Sequence, residues 1–365
     1  MTPYRACMHN ILSVKICLYL LKGVCFMHMA DALVSTPVAA VMGVASVGAL
    51  GYSIYKVKTE STDFKKVPLM GVMGAFVFAS QMLNFTIPGT NSSGHICGGM
   101  LLTALLGPYS AFITMTVILL LQCLIFADGG LMALGCNIWN MAFYACFAGG
   151  FLIYRPIVKD KFSKLRIMLA SVIGCVVTLQ MGSFSVVLET MASGVTELPF
   201  SYFVTAMQPI HLAIGAVEGV LTGLVLIFVG ATRPEIINQA SGEKKRVSFG
   251  AFLAVFAIVT LVFAGGVSLV ASNNPDGLEW SIRKVTGSED EFVSGKNNHE
   301  KAADIVDNTS IMADYTVNDS DKPLGTTAAG VIGSLAVAAV CCTGCFIFMK
   351  IRKKKITANE NRECN

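Results

Sequence analysis

The chain has 365 residues, of which 54% are hydrophobic and 14% charged, and its net charge is +4. A mean hydropathy of +0.65 is typical of a polytopic membrane protein and excludes an ordinary water-soluble globule. The bases lie in short loops, so the sequence gives no indication of nucleic-acid binding. Most of the twelve cysteines lie inside apolar runs, where they act as small hydrophobic residues.

The first 26 residues differ from the rest of the chain. Residues 11–26 are apolar but short, are interrupted by Lys15 and Lys22, and lack a small-residue cleavage site before Met27. We interpret residues 1–26 as an extension that arises from a misassigned translation start, with initiation at Met27. A signal-like segment that is cleaved or retained is the alternative.

The apolar runs that follow predict an all-α, polytopic integral membrane bundle, with about seven helices in a first domain and two in a C-terminal part. The candidate spans are 34–55, 68–87, 98–107, 109–127, 132–154, 167–190, 205–231, 249–271 and 325–350.

Charge predicts the topology of these spans. Loops 56–66, 155–166 and 232–247 and the C-terminal tail are basic and should face the cytoplasm. Segment 272–324 has eleven acids against five bases, which places it outside.

Because loops 56–66 and 155–166 should both face the cytoplasm, the chain must cross the membrane an even number of times between them. Gly107-Pro108-Tyr109 therefore either divides 98–126 into two helices or ends a re-entrant dip. Residues 88–97 and 127–131 and the start of the first helix then lie on the outer side.

Two histidines on this outer side form a candidate transition-metal site. If the chain begins at Met27, its amine, the His28 amide nitrogen and the His28 Nδ1 atom form fused chelate rings. Ni²⁺ and Cu²⁺ are the ions best able to displace an amide proton, and they favour square-planar geometry. His95, in a glycine-rich loop, can supply the fourth nitrogen. A hydrogen-bonding role for a lone loop histidine is the alternative.

The residues around these histidines resemble the substrate-capture component of energy-coupling-factor nickel and cobalt transporters, the NikM/CbiM family. The resemblance covers about 27–235 and rests on MHMADAL (27–33), ASQMLNFTIPG (79–89), SGH (93–95), QCLIFADGGL (122–131), ALGCNIWNM (133–141), HLAIG (211–215) and EG (218–219). A second resemblance, to the auxiliary subunit NikN or a PDGLE domain, rests on NPDGLEW (274–280), DY (314–315) and the apolar run 325–350.

The resemblance implies that Met27, His28 and His95 bind Ni²⁺ or Co²⁺ as the transported substrate, and the fusion favours nickel. It implies a coupling membrane subunit of the NikQ/CbiQ type and an ATP-binding subunit of the NikO/CbiO type as partners, besides membrane lipid. The sequence has no GxxxxGK[S/T] phosphate loop, so the chain is predicted to be a transporter subunit without its own ATPase site. The expected location is the cytoplasmic membrane of a bacterium or archaeon, with the metal site on the extracytoplasmic side.

Several polar residues are candidates for orienting the metal loops. They are Asp31, Gln81, Asn84, Ser93, Asp128, Asn137 and Asn140. A helix-capping turn is an equal alternative for Asp128, and bridging between helices is the alternative for the amides. His211 and Glu218 lie seven residues apart on one helix face, and we expect them to serve interhelical bonding or coupling.

The predicted domains are 27–247 for metal capture and 248–365 for the auxiliary part, in which 272–324 assists loading or stabilises the loops. A membrane metalloenzyme or sensor that uses the same histidine pair is the competing function. An open coordination position and a nearby general base would favour it.

Overall fold

The computed structural model describes residues 28–59, 66–159, 163–195, 199–237, 247–266, 272, 274–286, 297–315 and 322–363. The predictions for 1–26 and for Met27 lie outside these residues. In the first domain the helices are α1 Thr36–Thr59, α2 Lys66–Gln81, α3 Gly99–Leu106, α4 Pro108–Phe126, α5 Leu134–Val158, α6 Lys164–Ser193 and α7 Phe200–Thr232. The later helices are α8 Phe249–Gly265, α9 Gly277–Thr286, α10 Asn297–Thr309 and α11 Lys322–Glu363.

Six of these helices are long and apolar enough to cross a membrane, namely α1, α4, α5, α6, α7 and the 324–344 part of α11. The shorter helices α2 and α8 are also apolar. Within α5, residues Ile138–Tyr154 are wound as a π-helix. The prediction of an all-α polytopic bundle is therefore confirmed.

The predicted break at Gly107-Pro108 is present. Gly107 has a φ of 82°, which favours glycine, and Pro108 is the first residue of α4, where its missing N–H costs nothing. Helix α3 has eight residues and rises about 12 Å, so it is too short to cross the bilayer. Seven of its residues are buried, as a re-entrant half-helix inside a membrane protein must be.

A small antiparallel hairpin replaces the end of the predicted span 68–87. Helix α2 ends at Gln81, and strands β1 Phe85–Ile87 and β2 Ser92–Gly94 pair with Thr86 opposite Ser93. The turn between the strands contains Gly89 at φ 80° and Asn91 at φ 56°. The extension of this span to 87 was wrong, because β-branched residues followed by Pro88-Gly89 favour a hairpin over a helix end.

The two apolar helices of the auxiliary part pack against the first domain and each other. A Cβ atom on Gly71 of α2 would lie 3.2 Å from the Ala338 carbonyl oxygen of α11. A Cβ atom on Gly330 of α11 would lie 2.6 Å from the Ala264 carbonyl oxygen of α8. Small residues thus allow these helices to approach closely, as is common between helices in lipid.

The auxiliary segment between α8 and α11 binds the loops at one end of the bundle. The Ser93 amide donates to the Pro275 carbonyl at 2.7 Å, and the Trp280 indole N–H donates to the Thr90 carbonyl at 2.7 Å. His299 Nε2 donates to the Val34 carbonyl at 2.9 Å. The hairpin, the start of α1 and the auxiliary segment therefore surround one region, which holds the candidate site.

Candidate metal site

The chain before α1 is fixed next to the N-terminus of α5. The side chain of Asn137 accepts a hydrogen bond from the Met29 amide at 3.0 Å and donates one to the Met29 carbonyl at 3.1 Å. The Gly130 amide also donates to the Met29 carbonyl, at 3.1 Å. These bonds determine the position of the neighbouring residue, His28.

His28 is buried, with 3% of its surface exposed. Its Nδ1 atom lies 2.8 Å from Asp128 Oδ1, and within the described residues Nε2 has no hydrogen-bond partner. Buried polar atoms normally have hydrogen-bond partners, so a buried imidazole nitrogen without one indicates a functional role for His28. Burial alone would raise the pKa of Asp128, but His28 and a hydrogen bond from Tyr315 together lower it below its ordinary value.

His95 lies beside His28 in the loop between β2 and α3. The centroids of the two rings are 5.8 Å apart, and the ring planes are inclined at 54°. Because a metal–imidazole bond is about 2.0 Å long, one ion can contact a nitrogen of each ring. Desolvation, reinforced by His28, lowers the pKa of His95 to about 3, so its ring is neutral at physiological pH. A neutral imidazole is the form that binds a metal.

Two buried side chains hold the loop that carries His95. The two carboxylate oxygens of Glu218 accept the Cys97 and Gly98 amides, each at 2.9 Å, at the N-terminus of α3. Gln81 donates to the Cys97 carbonyl at 2.8 Å and accepts a hydrogen bond from Gln122 at 2.9 Å. A carboxylate is favourable at this position because the first N–H groups of a helix have no partner within the helix.

Other predicted loop-organising residues have different partners. Asp31 accepts a hydrogen bond from the Ala133 amide at 2.9 Å, which joins the turn after His28 to the loop before α5. Asn140 donates to the buried Glu189 carboxylate at 2.7 Å and so bridges α5 and α6.

Ser93 and Asn84 bind the auxiliary segment. The Ser93 hydroxyl donates to the Asn274 carbonyl at 2.8 Å, and the Asn84 carbonyl accepts the Ser272 amide at 2.8 Å.

His28 and His95 line a cavity of about 100 Å³. Its walls include Asn137, Asn140, His211 and Glu218 from the first domain and residues 276–278 from the auxiliary segment. His211 is already bonded through Nδ1 to the Met207 carbonyl at 2.8 Å. Within the part of the chain that the structure describes, no three His, Cys, Asp or Glu side chains are grouped as metal ligands.

Sequence reasoning missed the roles of Glu218, Asp276 and Tyr315 in this region. Glu218 was expected to serve interhelical bonding or coupling, but it holds the backbone of the His95 loop. The sequence feature that pointed to a role for Glu218 was the presence of an acidic residue within an apolar helix. Asp276 and Tyr315 appeared only in motifs of the auxiliary part, and nothing in their spacing indicates that Asp276 lines the cavity with the histidines or that Tyr315 bonds to Asp128.

Comparison with known proteins assigns the chain to a family. The model described as CbiM, cobalt uptake substrate-specific transmembrane region, matches residues 28–236. The chain belongs to this family. Residues 250–350 match the PDGLE domain, so this CbiM-family chain is fused to an auxiliary domain of the NikN type, as the two resemblances predicted.

Relatives of this CbiM-family chain include fused transport proteins of similar length. One from Archaeoglobus fulgidus, assigned as a fused nickel transport protein NikMN, is 32% identical over 86% of this chain and 96% of its own length. Another from Lactiplantibacillus plantarum, assigned as a fused nickel transport protein LarMN, is 31% identical over 71% of this chain and 79% of its own length. A crystal structure of a truncated transition metal transporter is 36% identical to this chain, covers 56% of this chain and 98% of its own, and superposes with a TM-score of 0.49.

The CbiM-family protein is therefore a multi-pass membrane component of nickel or cobalt transport that works with other subunits. It is a transporter subunit and not an enzyme, because the family and the relatives are transport proteins, and these comparisons do not support the competing metalloenzyme interpretation.

Proposed function

We propose that this protein captures Ni²⁺ or Co²⁺ for an importer of the energy-coupling-factor type. The proposed ligands are the Met27 terminal amine, the His28 amide nitrogen, the His28 ring and the His95 ring, arranged in a square plane. The observation that carries the proposal is the histidine pair, because the two rings line one cavity with their centroids 5.8 Å apart.

The chemistry of this donor set favours a small group of ions. A terminal amine, the next amide nitrogen and an imidazole form fused chelate rings only if the ion displaces the amide proton, and Ni²⁺ ranks high in affinity for nitrogen donors. Cobalt is named by the family, and nickel by the two fused relatives. Because this chain shares their fused arrangement, we propose nickel as the physiological ion.

We further propose that the site faces outward from the cytoplasmic membrane. Loops 56–66 and 155–166 are basic and should face the cytoplasm, and the number of crossings between them then assigns loops 88–97 and 127–131 to the outer side. Metal would enter beneath loops 88–97 and 127–131 and leave inward when the domain reorients. The auxiliary segment, which contributes Asp276 to the cavity wall, would stabilise these loops during loading.

Energy for transport would come from separate subunits, because the sequence contains no phosphate-binding loop. We propose a coupling membrane subunit of the NikQ/CbiQ type and an ATP-binding subunit of the NikO/CbiO type. Radioactive nickel uptake by cells that produce this protein should then require both subunits. Uptake that persists without the ATP-binding subunit would contradict this part of the proposal.

The decisive experiment combines the intact mass of the purified protein with nickel titration. Protein whose mass corresponds to 27–365 should bind one equivalent of nickel with the absorption spectrum of a square-planar complex. His28→Ala and His95→Ala should each weaken binding by more than 100-fold, whereas the control His299→Gln should not, since His299 bonds to the Val34 carbonyl.

Two results would refute the site. One is stoichiometric nickel on protein that retains residues 1–26, which would exclude the terminal amine as a ligand. The other is unchanged nickel affinity in His28→Ala protein that begins at Met27.

A further inference from the structure

A tyrosine of the auxiliary segment reaches the loop beside His28. Tyr315 ends a short 3₁₀ turn, Ala313–Tyr315, that follows α10. The turn is joined to the end of α4 through the Met312 amide, which donates to the Ile125 carbonyl at 3.1 Å. The Tyr315 amide in turn donates to the Met312 carbonyl at 3.1 Å. Backbone hydrogen bonds therefore determine the position of the Tyr315 backbone.

Aromatic contacts determine the direction of the Tyr315 side chain. The Tyr315 ring is stacked on Phe126, with the centroids 4.7 Å apart and the planes inclined at 15°, and its centroid lies 6.4 Å from that of Phe78. Both phenylalanines are fully buried. Stacking of this kind requires only the ring, so a phenylalanine at 315 would retain it.

The hydroxyl group makes the contact that matters for the metal site. It donates to Asp128 Oδ2 at 2.7 Å, while Asp128 Oδ1 lies 2.8 Å from His28 Nδ1. Asp128 itself is buried, and its backbone amide donates to the Gln122 carbonyl at 3.0 Å. One carboxylate thus connects the auxiliary segment with the imidazole that is proposed to bind the ion.

We propose that Tyr315 is a positioning residue for the metal, which acts through Asp128 to set the orientation of the His28 ring. This inference rests on the proposed function of His28. The proposed chelate uses His28 Nδ1, so the incoming ion must displace the Asp128 oxygen that lies 2.8 Å from this atom and orients the ring before the ion binds. The position of the carboxylate therefore affects metal affinity, and the Tyr315 hydroxyl holds its other oxygen. The auxiliary domain thereby influences how tightly the capture domain holds nickel.

The test compares Tyr315→Phe with Tyr202→Phe, a matched change at a side chain that is 68% exposed on α7. Nickel affinity, nickel dissociation rate and the ligand-field absorption of bound nickel are measured on the full chain. Outer-shell partners of metal ligands typically change affinity by about 10-fold to 100-fold. We expect a change of about 10-fold and a shifted absorption band for Tyr315→Phe, and neither for Tyr202→Phe.

Two further variants separate the possible outcomes. If Tyr315 acts through Asp128, Tyr315→Phe should have no additional effect in an Asp128→Ala protein, and an equal effect in both backgrounds would overturn the proposal. Wild-type affinity and spectrum in Tyr315→Phe would also overturn it, provided that His28→Ala abolishes binding. If His28→Ala binds nickel normally, the proposed function itself fails.

Discussion

Asn137 holds the backbone of Met29 at both of its polar groups, with an oxygen–nitrogen distance of 3.0 Å to the amide and 3.1 Å to the carbonyl. The two residues are far apart in sequence and belong to different elements. Their contact fixes His28 relative to the helix that begins with Leu134–Asn137, so a helix position controls the geometry of a segment that has no regular structure of its own.

Replacement of Asn137 by Ala should therefore weaken nickel binding by about 10-fold, because outer-shell groups orient the ligands. Isothermal titration of the purified protein measures the effect. Asn308→Ala is a suitable control, since Asn308 lies on an exposed face of α10. Equal affinities of Asn137→Ala and wild type would show that the Met29 backbone is held by other means.

Glu218→Gln should destabilise the loop that carries His95. Each carboxylate oxygen now accepts one backbone N–H, and the change replaces one oxygen with an NH₂ donor, so a buried N–H loses its partner. We expect the free energy of unfolding to fall by about 1–3 kcal/mol, measured as a lower unfolding temperature in detergent. Glu300→Gln, on an exposed position of α10, should leave that temperature unchanged, and a similar fall in both variants would contradict the interpretation.

Gly135→Ala should disrupt the contact between α1 and α5. A Cβ atom there would lie 2.5 Å from the Gly43 backbone nitrogen, next to the bond from the Ser46 hydroxyl to the Gly135 carbonyl. Overpacking of this kind costs about 1–3 kcal/mol, and thermal unfolding should register it. A Cβ atom on Gly48 of α1 has no neighbour within 4 Å, so Gly48→Ala is the control. The interpretation fails if the two alanine variants unfold at the same temperature.

Trp280→Phe should loosen the hairpin formed by 85–94. The change removes the indole donor to the Thr90 carbonyl but keeps an aromatic ring near Lys284. Loss of one hydrogen bond is worth about 1 kcal/mol, so the amides of the hairpin should exchange with deuterium about fivefold faster. Trp139→Phe, in α5 and stacked on Phe143, should not change this exchange. Unaltered exchange in Trp280→Phe would mean that the hydrogen bond from the Ser93 amide to the Pro275 carbonyl is sufficient to hold the hairpin in place.

The sequence predicted those features that depend on local physics. The polytopic all-α bundle and the break at Gly107-Pro108 followed from apolar runs and from the conformations open to glycine and proline, whereas the polar helices α9 and α10 were not predicted. The placement of His28 and His95 on one side followed from charge and parity, and the structure brings their rings within 5.8 Å, although their role as ligands remains a prediction.

Contacts between residues far apart in the chain could not be predicted from the sequence. Glu218 binds amides that are 121 and 120 residues away in the chain, and Tyr315 contacts Asp128 across 187 residues. Neither pairing leaves a periodic pattern, because each depends on how whole helices pack. Ser93 shows the same limit, since its hydroxyl bonds to the Asn274 carbonyl of the auxiliary segment, 181 residues away.

The short buried helix Gly99–Leu106 has a consequence for how an ion can cross. The cavity reaches Met100, while Leu102, Leu105 and Leu106 of the same helix are buried outside its walls. Moving a bare charge from water into such a low-dielectric layer costs on the order of 20 kcal/mol, which thermal fluctuation does not supply. We therefore expect no permeation through a static bundle at this layer. The proposed inward release of a captured ion would then require the helices to shift around it.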